Sequence, residues 1–230
     1  MKKLTIFCGL CLFATSAFAE LSKNEVKRLG DGTTVLSELR GTPDRGIPEG
    51  LWNKAQCVLV IPSMKKAAFV FGGEAGSGVM SCRRASGWGA PVFMHLAKGS
   101  FGLQIGAEEV DLVLLVMNQT GADKLLQDKV SLGTDASLAA GPVGRSANAA
   151  TDAQMHAEML SYSRSQGLFA GIDLSGGVLR PDTEADARAY GSHVTAREIV
   201  EGPRRVAVPA AAQSFVRALG RDVQATSGRR

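Results

Sequence analysis

Apolar positions recur at helical spacing near the two ends of the chain and at strand spacing between them. Over residues 20–40, Val26, Leu29, Leu36 and Leu39 fall close to one face, and Lys23, Lys27, Arg28 and Arg40 supply a basic remainder. That pattern predicts an amphipathic helix, weakened by Gly30 and Gly32. A turn-rich link through Pro43 and Pro48 leads to a short helix over Glu49–Ala55. From Cys57 the pattern becomes that of strands. Val58–Ile61 is a β-branched run that Pro62 is expected to end, and Ala67–Phe71, Val79–Arg84 and Pro91–Leu96 read as further short strands. Gly72-Gly73 and Gly87-Trp88-Gly89 read as turns between them. Phe101, Leu103 and Ile105 alternate with Ser100, Gly102 and Gln104, as in a half-buried strand. Val110–Met117 is apolar on both faces, which places it centrally in a sheet.

A short helix over Ala122–Asp128 follows, then small and apolar residues over 130–140 and a loop over 145–153. Strands over 155–164 and 168–178 flank a turn at Gln166-Gly167. Helices are expected over 181–190 and 209–219, and the tail 224–230 reads as disordered. Strands without βαβ alternation point to an α+β fold. The expected architecture is a mainly antiparallel, strongly curved or barrel-like sheet with flanking N- and C-terminal helices.

Composition narrows the class. The 230 residues are 45% hydrophobic and 21% charged, an ordinary globular balance with enough apolar surface for a core. Lys2 and Lys3, the apolar run Leu4–Phe13 and the small-x-small triplet Ala17-Phe18-Ala19 form a secretory signal, residues 1–19, cut before Glu20. Phe7 and Leu10 precede Cys8 and Cys11 where a lipobox has small residues, which favours simple cleavage over lipidation. Removing both lysines lowers the net charge from +4 to about +2. The expected location is therefore periplasmic or secreted. Cys57 and Cys82 remain after cleavage. They are either a disulfide or two buried thiols, and the sequence does not decide between them.

Candidate chemistry is sparse. Gly72–Gly78 has the composition of a phosphate loop but neither its spacing nor a following helix. Ser77 and Ser100 do not sit in a nucleophile elbow, and His95, His156 and His193 are widely separated. Asp182, Glu184 and Asp186 alternate like the start of a calcium loop, but Ala187 stands where glycine is needed, so a helix N-terminus is the better reading. No metal or cofactor is expected. The remaining features are basic: Lys65, Lys66, Arg83, Arg84, Arg145 and Arg164 are candidates for phosphate head groups. Arg164, within the serine-rich run Ser161–Gly171, reads equally as a structural ion pair, with Asp173 as the expected partner. The amphipathic helix either faces a membrane through Val26, Leu29, Leu36 and Leu39 or packs on the domain. The lack of Trp and Phe in its stripe favours packing. A modest charge and 6% aromatic content argue against nucleic acid as a partner.

Taken in order, several motifs form a longer signature: Gly76-Ser77-Gly78-Val79, Gly87-Trp88-Gly89-Ala90-Pro91, Gly99–Gly106, Asp111–Asn118, Gly133–Ser137, Ala140–Arg145 and Tyr162–Gly171. This closely resembles the SYLF domain family over residues 20–191, which leaves 192–230 as a C-terminal extension. The resemblance implies a non-enzymatic, lipid-binding domain whose membrane contact uses an N-terminal amphipathic helix and basic residues. Eukaryotic members are similar to membrane adaptors that bind phosphoinositides, some of them also actin, and carry SH3 or FYVE domains. An exported chain is not expected to meet those ligands, so the expected partner is an anionic phospholipid or membrane surface. A hydrolase acting on an envelope lipid, which would need a histidine beside a serine or carboxylate in a cleft, and a structural envelope protein that binds another protein are the alternatives.

Overall fold

The computed structural model describes residues 21–41, 46–68, 71–101, 106–144, 156–165, 168–202 and 206–220. Helix α1 (Lys23–Gly41) and helix α2 (Glu49–Lys54) precede the strands β1 (Cys57–Ala68), β2 (Phe71–Arg84), β3 (Gly87–Trp88), β4 (Val92–Phe101) and β5 (Gly106–Val116). Helix α3 (Gln119–Leu125) separates these from β6 (Val130–Ser131), β7 (Leu138–Ala140), β8 (Met159–Ser165), β9 (Leu168–Gly171) and β10 (Val178–Pro181). Helices α4 (Thr183–Tyr190), α5 (Ala196–Glu201) and α6 (Gln213–Gly220) close the chain.

The ten strands form one strongly curled, half-barrel sheet in the order β6-β10-β4-β2-β1-β5-β8-β7, with β3 added to β2 and β9 to β8. Pairing is antiparallel except between β7 and β8. The α+β, mainly antiparallel expectation holds, and β5 lies centrally between β1 and β8.

The two faces of the sheet carry two cores, as period-two alternation requires. Val58, Val60, Val79, Phe93, Val113, Leu115 and Tyr162 face α1 and α6, where they meet Leu29, Leu36, Leu39 and Phe215. Leu59, Met80, Met94, Leu112 and Leu114 face the other way, toward Leu125 of α3 and Ile199 of α5. Gly32, expected to weaken α1, makes room for its neighbour: a Cβ there would sit 3.2 Å from the Phe215 ring. Described residues beyond 191 also pack into these cores, Phe215 and Leu219 into one and Ile199 into the other. The expected disordered tail lies outside the described residues.

Two turn expectations give way to longer strands. Pro62 does not end β1. It has no N–H to give the ladder, so the strand bulges between Ile61 and Met64 and then pairs again with both neighbours. Ser63 takes φ 48° in this bulge, and its N–H is captured by Asp111 Oδ1 at 3.0 Å. Gly72-Gly73 is likewise inside β2, paired to β1 on one side and β4 on the other. The expected strand around Leu103 falls largely on residues 102–105, outside the described residues.

Cys57 and Cys82 are directly opposite each other on β1 and β2, and their sulfurs are joined at 2.07 Å. The bridge closes a loop of 25 residues, and restricting the unfolded chain to that extent is worth roughly 3 kcal/mol. The double variant Cys57→Ala/Cys82→Ala is expected to melt on the order of 10 °C lower by calorimetry. An unchanged melting temperature would show that the neighbouring ladder already supplies the constraint.

Candidate functional site

Three strands bring the site together through their register. Ser77 of β2 stands opposite His95 of β4, and His95 stands opposite Arg180 of β10. One step along, Lys65 of β1 faces Ala75, Ala75 faces Ala97, and Ala97 faces Val178. Directly paired residues share a sheet face, so these two rows form a floor of small residues edged with charge. The N-terminal half of α1 forms the wall through Lys27, Arg28 and Asp31, and Lys129 adds a further cation. The cleft between floor and wall has a volume of about 940 Å³.

The β1 bulge shapes the floor. A Cβ on Gly76 would lie 2.4 Å from Ile61 Cγ2, and one on Gly78 would lie 2.3 Å from the Val60 carbonyl oxygen. Only glycine fits at either position, and Ser77 between them projects to the opposite face, into the cleft.

Polar contacts across the cleft are specific. Ser77 Oγ lies 2.8 Å from His95 Nδ1, and His95 Nε2 lies 2.9 Å from Asp182 Oδ2. Asp182 also accepts from Arg28 Nη1 at 2.9 Å and from the Ala185 N–H at 3.1 Å, where it caps α4. The acidic run at 182–186 is therefore a helix N-terminus, as expected. Burial opposes ionisation of Asp182, but the hydrogen bonds from Arg28 and Ala185 and the charges of His95 and Arg28 outweigh it and hold its pKa below the ordinary carboxylate value. Lys27 pairs with Asp31. Among the described residues, Lys65, Lys129 and Arg180 have no ion-pair partner, so the cleft carries surplus positive charge, although Glu109 stands across from Lys65 on β5. No cluster suited to a metal ion occurs among the described residues.

The other basic candidates lie elsewhere. Arg83 donates to the Ala55 and Trp52 carbonyls and lies 4.4 Å over the Trp88 ring. Arg84 donates to the Ile199 and Val200 carbonyls at the end of α5. Arg164 pairs with Glu38 of α1 and, at 3.2 Å, with Asp111 of β5, not with Asp173. Asp173 instead accepts from Ser175, because the register that pairs Arg164 with Phe169 leaves Asp173 four residues further along. Lys66 stands opposite Glu74 and Glu108 on its neighbouring strands. Arg145 lies outside the described residues. Of the five that are described, Lys65 alone lines the cleft.

Helix α1 is held to the domain. Leu29, Leu36 and Leu39 are buried, and of the expected membrane-facing stripe only Val26 is exposed. Each buried leucine contributes roughly 1.5–3 kcal/mol that would be lost if the helix turned outward. Buried Glu25 accepts from Arg188 at 2.7 Å and from the Ser22 N–H. Together with Arg28–Asp182, these contacts fix the wall of the cleft.

Comparison with known proteins identifies the family. Residues 97–222 match the family described as Ysc84, "Las17-binding protein actin regulator". The chain belongs to the Ysc84 (SYLF) family. The match runs past residue 191, in keeping with the packing of α5 and α6. An SH3 domain-containing protein of Schizosaccharomyces pombe is 36% identical over 203 residues, covering 86% of this chain and 46% of its own length. Protein YSC84 of Saccharomyces cerevisiae is 35% identical over 180 residues, 76% of this chain and 38% of its own. SH3 domain-containing YSC84-like protein 1 of Xenopus laevis is 33% identical over 184 residues, 79% and 54% respectively. The chain thus spans about half the length of these relatives, or less. The family description and the relatives' names are those of binding and regulator proteins rather than of enzymes.

Proposed function

We propose that this SYLF-family chain is an exported lipid-binding protein whose cleft takes the phosphate of an anionic lipid head group. The observation that carries the reading is the charge of the cleft: Lys27, Arg28, Lys65, Lys129 and Arg180 line it, and among the described residues only Lys27 and Arg28 of these have ion-pair partners, Asp31 and Asp182. Lys65, Lys129 and Arg180 are exposed where they line the cleft, as an incoming phosphate requires. The Cys57–Cys82 bridge supports export, since such bonds persist in oxidising compartments. No described helix is long and apolar enough to cross a membrane.

Each basic side chain near an anionic surface adds about 1 kcal/mol of attraction. Reversing three of them (Lys65→Glu, Lys129→Glu and Arg180→Glu together) is expected to weaken co-sedimentation with phosphatidylglycerol vesicles on the order of 100-fold. Wild-type binding should fall as salt rises. Equal recovery of wild-type protein on neutral and anionic vesicles would remove the charge-based reading. Binding of a protein, suggested by the family description, would then be the reading to pursue.

A further inference from the structure

Ser77 Oγ is hydrogen-bonded to His95 Nδ1 at 2.8 Å, His95 Nε2 lies 2.9 Å from Asp182 Oδ2 as an ion-pair contact, and Ser77 and His95 line the cleft. They come from three strands or strand ends that are remote in sequence, and each is fixed independently. Ser77 is pinned between glycines that the β1 bulge locks in place. His95 is its direct cross-strand partner. Asp182 is buried and anchored by Arg28 and by the N-terminus of α4. A serine hydroxyl, an imidazole and a buried carboxylate held in this order are the parts of an acyl-transfer site.

We propose that Ser77 is a nucleophile, His95 its general base and Asp182 the group that orients His95, and that the cleft hydrolyses a carboxylic ester of a phosphate-bearing alcohol, the chemistry of a glycerophospholipid. With the proton of neutral His95 on Nε2, which lies 2.9 Å from Asp182 Oδ2, Nδ1 is left to accept from Ser77. Ser77 Oγ bonds to the ester carbonyl carbon as its proton passes to His95 Nδ1. The carbon–oxygen bond to the alcohol breaks, and the alcohol leaves with that proton. Water then attacks the acyl-serine and gives one proton to Nδ1, from which Ser77 recovers it as the fatty acid departs. The net reaction is ester plus water to acid plus alcohol, with no oxidant or metal consumed. Arg180, across from His95, and Lys65, diagonal to Ser77 on β1, are the cleft cations available to the negative charge that develops on the carbonyl oxygen. Ala75, Ala97 and Val178 give the floor an apolar surface beside the reacting bond.

The phosphate-bearing alcohol rests on the lipid reading above, whereas the relay stands on its own geometry, and one experiment separates the two. The full chain is treated with a fluorophosphonate, which traps activated serines, and the adduct is located by peptide mass spectrometry. Vesicle co-sedimentation of the same preparation reads lipid binding. The expected result is one adduct per chain at Ser77, with labelling slowed about 10²–10⁴-fold in His95→Gln. Hydrolysis of p-nitrophenyl butyrate should be lost to the same extent in Ser77→Ala. Circular dichroism and melting temperature confirm that both variants fold. The absence of a Ser77 adduct on the wild-type chain overturns the relay, and this arm needs no variant to fold. Equal labelling in folded His95→Gln also overturns it. An adduct at Ser77 without vesicle binding retains the relay and removes the lipid. Vesicle binding without an adduct does the reverse.

Discussion

Gly78→Ala is expected to destabilise the protein by at least about 3 kcal/mol, enough to deplete the folded state at physiological temperature. The added Cβ would stand 2.3 Å from the Val60 carbonyl oxygen, 2.5 Å from Ile61 Cγ1 and 3.0 Å from Ile61 Cα. Two of these three atoms are backbone, so no rotamer change relieves the overlap. Either β1 or β2 must shift, and both are interior strands paired on each side. The position also sets the site, because the bulge that crowds Gly78 presents Ser77 to the cleft. Gly30→Ala is the matched control. It lies on the exposed side of α1 with nothing within 4 Å of the added Cβ, so the change should stabilise by roughly 0.5–1 kcal/mol. Chemical denaturation of the three proteins checks both signs, and a Gly78→Ala curve that overlays the wild type would mean the bulge yields freely.

The glycines of this sheet show what was legible in the chain and what was not. Alternation and β-branched runs placed β1, β5 and β8, and the two-sided apolar run placed β5 centrally. The helical stripe of α1 was equally clear, because amphipathic period is a local property. Pro62 misled because a bulge and a strand end begin with the same residue, and only the pairing beyond it tells them apart. Gly72-Gly73 misled because paired glycines mark turns but here continue a strand in unbroken register, which only the pairing shows. Helix α5 went unseen although Thr195 and Glu198 form its capping box, a signature present in the sequence. The site was less accessible still. Ser77, His95 and Asp182 are separated by 18 and 87 positions, and no spacing rule joins them. Their meeting follows from the β2–β4–β10 register, a long-range property. Arg28, by contrast, looked like part of a solvated helix face. It serves as the clamp on Asp182 because α1 docks with that edge over β4 and α4.

Asp186→Asn is expected to stabilise the protein above neutral pH while leaving it nearly unchanged in acid. Asp186 is buried, accepts from the Phe93 N–H at 2.9 Å, and has no partner for Oδ2 among the described residues. Burial, with the charge of Asp182 adding to it, pushes its pKa up to about 7 against the Phe93 hydrogen bond and the charge of Arg28. In the unfolded chain the same carboxyl titrates near 3.8. Between those values the folded protein holds a proton that the unfolded chain has lost. Stability therefore declines as pH rises from about 4 to about 7 and levels off above. The full loss at pH 8 is up to roughly 4 kcal/mol relative to a neutral side chain. Asparagine keeps the Oδ1 acceptor for Phe93 and removes the charge, so the difference between variant and wild type should open across that window. Asp182 behaves oppositely. Its depressed pKa supplies stability that is present above about 4 and lost as pH falls further, in both proteins alike. Melting temperatures at pH 5 and pH 8 measure the effect. A variant that gains nothing at pH 8 would mean that Arg28 already neutralises Asp186, and with it that the clamp on Asp182 is shared between the two carboxylates.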